Sequence, residues 1–102
     1  MLELRPNCEL CDKDLPPDST EACICTYECT FCASCVENVL MNVCPNCGGG
    51  FTRRPIRPSV THRAGAGLQN DPASTRRVHT KYTLEEIQSF AQDIKSIPPE
   101  NR

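Results

Sequence analysis

The chain predicts a small α+β fold stabilised by bound metal rather than by a large apolar core. Three observations predict it. Eight of the nine cysteines form one ladder between residues 8 and 47. That segment holds only a modest supply of Ile, Leu, Val and Phe, so its core is marginal without a staple. Two stretches, one inside the ladder and one near residue 90, repeat apolar residues at the helical period.

The ladder reads Cys8-x2-Cys11, Cys25-x3-Cys29-x2-Cys32-x2-Cys35, Cys44-x2-Cys47. Two thiolates separated by two residues reach one ion from a single tight turn, and two such pairs close a tetrahedral site. Eight ligands therefore predict two closed sites. Two pairings satisfy the spacing. In a cross-brace, Cys8, Cys11, Cys32 and Cys35 take the first ion, and Cys25, Cys29, Cys44 and Cys47 the second. In a tandem arrangement, Cys8, Cys11, Cys25 and Cys29 share one ion and the last four cysteines the other. The cross-brace is favoured, because Cys32 and Cys35 run into a predicted helix whose first turn presents both sulfurs together. Two Zn2+ are expected; iron is the less favoured metal, since four thiolates alone do not separate the two. Structural zinc contributes about 10–16 kcal/mol per site in small finger peptides, so the first half of the chain should fold only when loaded.

The remaining elements follow in order. Residues 24–27 and 30–31 are expected to form a short hairpin. Residues 33–43 carry Val36, Val39, Leu40 and Val43 at i, i+3, i+4 and i+7, a helical stripe. Cys44-Pro45-Asn46-Cys47-Gly48 reads as a knuckle. There Pro45 stiffens the turn and Gly48 permits the positive φ that turns backbone N–H groups toward sulfur. A two-zinc module is assigned to residues 1–57, a flexible basic linker to 58–82 and an amphipathic helix to 83–97. Thr83 with Glu86 forms a capping box, Leu84, Ile87, Phe90, Ala91, Ile94 and Ile97 fall on one side, and Pro98 and Pro99 end the helix. Such a stripe must be covered, by the helix's own domain, by self-association or by a partner protein. Cys23 is the spare, read as a small buried side chain with an alternative ligand or an oxidisable thiol as the sharper option. His62 and His79 read as solvated.

Disulfides fit poorly with an odd count and Cys-x-x-Cys grouping. The opening residues show no charged-then-apolar leader, and no apolar run reaches membrane-spanning length. A reducing, cytoplasmic setting is expected. Residues 1–50 hold two basic and eight acidic side chains, and residues 51–102 nine basic and five acidic. Eight thiolates and two Zn2+ would leave the loaded module at about −10, a poor surface for nucleic acid. The basic stretch lacks interleaved aromatics for stacking bases and is expected to lie over the acidic module.

The ladder, with Leu10 before the second ligand, Phe31 before the fifth and Pro45 after the seventh, resembles the RING finger pattern. It departs from that pattern in having Cys29 rather than His, no Trp near the helix, and Gly48 rather than Arg or Lys after the last ligand. The knuckle resembles that of rubredoxins. More closely, LRPNC, DLPPDS, YECTFC and CPNCGG are very similar to a family of small bacterial cysteine-rich proteins known as domain of unknown function 1272. The similarity runs to about residue 81. It implies a metal-binding, RING-like or zinc-ribbon-like module and no established activity. The function expected is a structural zinc module binding another protein, and not an enzyme: all-sulfur sites leave no open metal position. The alternatives are a RING-type ubiquitin-ligase-like binder of a conjugating enzyme, and a thiol redox or zinc sensor.

Overall fold

The computed structural model describes all 102 residues. Strands β1 (Ala22–Ile24) and β2 (Thr30–Cys32) form the expected antiparallel hairpin, with Cys23 opposite Phe31. Its turn is tied by the Cys25 N–H on the Cys29 carbonyl and the Glu28 N–H on the Cys25 carbonyl. A third strand, β3 (Thr52–Arg53), pairs on the far side of β1, giving the order β2-β1-β3. Sequence reasoning did not anticipate β3, because two exposed residues carry no periodicity.

β2 passes directly into α1 (Ala33–Cys35), which continues as a π-helical turn (Val36–Leu40). The helix expected over 33–43 stops at Leu40. Met41 and Asn42 both take left-handed φ, 50° and 59°, and the Met41 and Asn42 N–H groups both close on the Val36 carbonyl. The stripe nonetheless faces inward: Val36, Leu40 and Val43 are buried and Val39 packs partly against the core.

The continuous core has thirteen residues, seven of them cysteines; the others are Leu15, Ala22, Phe31, Val36, Leu40 and Ile87. Phe31 meets Phe51 edge-on, ring centroids 5.5 Å apart. A core more than half thiol has little hydrocarbon to bury, so its stability depends on what the thiols bind.

Residues 58–82 contain no strand or helix, and they lie along the module rather than away from it. The Ser74 N–H reaches the Leu4 carbonyl and the Thr80 N–H the Glu9 carbonyl. Arg76 pairs with Glu3 at 2.8 Å, and Arg77 with Asp12 and Asp14 at 2.7 and 2.8 Å. Arg57, just before this strap, ties its middle to the N-terminal stretch by donating to the Asp71 and Leu2 carbonyls. Gly67 sits where it folds back, at φ 107°, with a hypothetical Cβ only 3.0 Å from the Pro58 carbonyl oxygen. The basic residues thus cover acidic ones of the same chain.

Helix α2 (Leu84–Ile94) starts with the capping box formed in both directions between Thr83 and Glu86. It docks on the π-helical turn by burying Ile87 and Ala91. Leu84, Phe90 and Ile97 remain exposed, so the chain covers only part of the expected stripe. A short 3-10 turn (Pro99–Asn101) follows, and Arg102 caps the Asn42 and Gly48 carbonyls. No helix is long and apolar enough to cross a membrane.

Candidate metal centres

Two loops of the same design bring the first and last cysteine pairs into position. In one, the Asp12 N–H returns to the Cys8 carbonyl at 2.9 Å and Asp12 takes φ 65°. In the other, the Gly48 N–H returns to the Cys44 carbonyl at 2.7 Å and Gly48 takes φ 79°. In each, a left-handed residue after the second cysteine closes the turn, so both sulfurs point to the same side. The two middle pairs arise differently. Cys32 ends β2 and precedes the helix that contains Cys35, and Cys25 and Cys29 flank the hairpin turn.

These elements gather Cys8, Cys11, Cys32 and Cys35, with all four Sγ atoms within 4.8 Å of one another. The Cys11 and Cys32 sulfurs are 3.8 Å apart. An ion bonded to sulfur at about 2.3 Å in tetrahedral geometry requires S···S separations of about 3.8 Å. Cys25, Cys44 and Cys47 form a second mutual group within 4.8 Å. Cys29 lies outside that radius, but its thiol neighbours Cys25 and the side chain of Asn46. Cys8 and Cys11 therefore stand with Cys32 and Cys35, and Cys44 and Cys47 with Cys25. No two of the nine cysteines are joined by a disulfide.

Burial and crowding of the sulfurs disfavour their anionic forms. Burial, then hydrogen bonding to Cys32 and the charge of Cys8, pushes the Cys35 thiol far up. Burial also raises Cys44, with the charges of Cys29 and Cys25 adding to it. Cys29 is raised mainly by burial and secondarily by Cys25, against an opposing hydrogen bond from Asn46. Four sulfurs, three of them buried, cannot share one space as thiolates without a compensating positive charge. Backbone donors already point at two of them: Tyr27 N–H to Cys25 Sγ at 3.3 Å, and Gly49 N–H to Cys47 Sγ at 3.4 Å.

Cys23 is buried and belongs to neither group. Burial raises its pKa against the opposing pull of Arg53, which stands across from it in the sheet. His62 and His79 are exposed and outside both groups; His79 approaches Asp12 at 3.8 Å.

Sequence reasoning missed three buried polar residues that frame the first group. Asn7 donates to the Val78 carbonyl, the Asp12 carboxylate and the Cys8 carbonyl, and accepts from the Val78 N–H. Glu9 accepts from the Thr30 N–H and from Arg5. Arg54 donates to the carbonyls of Arg5, Leu15 and Pro16. Most of their partners are backbone groups distant in the chain, which no sequence pattern displays.

Residues 1–57 match the family model described as Protein of unknown function (DUF1272). The chain is also 60% identical, over 78 residues, to an uncharacterized protein of Rhizobium meliloti (strain 1021). That match covers 76% of this chain and 86% of the relative. No solved structure matches it.

Proposed function

From the premise that the chain belongs to the DUF1272 family, whose function is unknown, we propose that it is a structural zinc module that presents a surface to another protein. Two Zn2+ would be held, one by Cys8, Cys11, Cys32 and Cys35, the other by Cys25, Cys29, Cys44 and Cys47, in a RING-like cross-brace. The observation supporting this most directly is the quartet of sulfurs within 4.8 Å, with one pair at the tetrahedral separation of 3.8 Å. The bound ions would supply folding energy and charge compensation. With every position taken by sulfur, they would offer no site for a substrate, so the chain is read as a binding protein and not an enzyme.

The test is elemental analysis of the protein purified without added metal, followed by circular dichroism before and after chelation. Two zinc ions per chain and loss of structure on chelation are expected. An unchanged spectrum after the metal is removed would sink the reading. A coloured protein with an iron signal would replace zinc by iron.

A further inference from the structure

A groove of about 640 Å3 runs between the Cys44–Cys47 knuckle and α2, within the usual range of ligand pockets. Pro45, Tyr82 and Phe90 supply its apolar surface and Glu85, Glu86 and Asp93 its charge; no Lys, Arg or His lines it. Phe90 touches the knuckle yet is 38% exposed: a Cβ on Gly48 would stand 3.6 Å from its ring.

No ion pair within the chain answers the carboxylates of this groove, although Lys81 lies over the Tyr82 ring, 5.3 Å from its centroid. Glu3, Glu9, Asp12, Asp14 and Glu21 each meet an Arg or Lys of the same chain. Glu85, Glu86 and Asp93 meet none. Glu86 also keeps its negative charge firmly, because the Thr83 N–H and hydroxyl hold its carboxyl below the usual range. A divalent ion on four thiolates adds a formal charge of about −2 behind Pro45 and Asn46. Such a field repels nucleic acid and anionic membranes. It favours a cation that can also lie on aromatic rings.

We propose that this groove docks a short basic segment of a partner polypeptide, with an Arg or Lys among the carboxylates and an adjacent apolar side chain on Tyr82 and Phe90. The proposal names the surface and partner chemistry of the zinc-module reading, and rests on it. The zinc-loaded full chain, labelled with 15N, is titrated at low salt with an acetylated, amidated Arg-Leu-Arg-Leu-Arg peptide. A Glu-Leu-Glu-Leu-Glu peptide is the control. Saturable shifts centred on Asn46, Glu85, Ser89 and Phe90 are expected with the basic peptide alone.

The Glu85→Gln/Asp93→Asn double variant changes only exposed side chains and should weaken binding about tenfold. Phe90→Ala should weaken it at high salt as well, where charge is screened. Shifts spread over Asp12, Asp14 and Asp18, equal response to the acidic peptide, or unchanged affinity in the double variant would overturn the proposal. Metal-independent folding would instead overturn the module reading, whatever the peptide does.

Discussion

Replacing Asn7 with alanine should detach the strap from the first cysteine loop. The Asn7 side chain is fully buried and makes four contacts: 2.8 Å to the Val78 carbonyl, 3.1 Å to Asp12, 3.2 Å to the Cys8 carbonyl, and 3.2 Å from the Val78 N–H. Alternative partners decide the cost. The Cys8 carbonyl keeps the Asp12 N–H and the Asp12 carboxylate keeps Arg77. The Val78 N–H and carbonyl lose their side-chain partner. Two part-buried groups left unpaired cost about 2–3 kcal/mol together. That is about 30- to 150-fold in the folding constant. Asn7→Asp should cost more at neutral pH, although it is closer in shape. It keeps an acceptor for the Val78 N–H but sets a carboxylate against two carbonyls and Asp12. Guanidinium denaturation of the zinc-loaded chain reads the stability, and hydrogen exchange at Val78 and Thr80 reads the local opening. A cost below about 0.5 kcal/mol for alanine, or aspartate tolerated better than alanine, would refute this account of the strap.

Other outcomes follow from the same geometry. Cys44→Ala should lower bound zinc from two ions to one or fewer, whereas Cys23→Ser should leave it unchanged; metal analysis of the two variants separates ligand from spare. Gly48→Ala should keep both ions but cost about 1–2 kcal/mol, because alanine must hold a left-handed φ of 79°. Ile87→Ala should cost about 2–4 kcal/mol in thermal or chemical denaturation, since that side chain is the buried anchor of α2.

Acid should unfold the chain by stripping metal rather than by releasing the strap. Arg76 first, then Arg5 and Ser74, hold the Glu3 carboxyl at about 2, against the opposing effect of burial. Because this pKa is depressed, the stabilisation is complete above the unfolded value of about 4.3. It is lost progressively below that value and is gone once pH falls through about 2. Thiolates take up protons at higher pH as zinc leaves. Zinc release followed with a chromogenic indicator should therefore coincide with the loss of ellipticity. Unfolding that lags metal release by more than a pH unit would contradict this.

What was legible in the sequence depended on distance along the chain. The Thr83–Glu86 capping box spans three residues and is found as read. The hairpin lies between cysteines close in sequence and is found with a shift of about two residues in its first strand. Val36, Leu40 and Val43 read as one helical stripe, and the structure buries them; the end of the helix is not legible, because nothing in Met41-Asn42 announces two consecutive left-handed residues. β3 escaped notice since its register on β1 is set by contacts across about thirty residues. Asn7, Glu9 and Arg54 read as ordinary polar residues of an acidic or basic stretch. Their burial follows from backbone partners that only the folded chain assembles. The strap was anticipated as charge lying on charge; its backbone bonds to Leu4 and Glu9 were not.

The paired strands β1 and β2 touch both cysteine groups: Cys32 closes β2 on one side, and Cys25 follows β1 on the other. A distortion at one group is thus passed through two short hydrogen-bonded strands to the other. The two groups should behave as a single cooperative unit during assembly, with the first ion to arrive aligning the ligands for the second. Half-loaded molecules would then be scarce at every metal supply, and the population would divide between empty and complete chains.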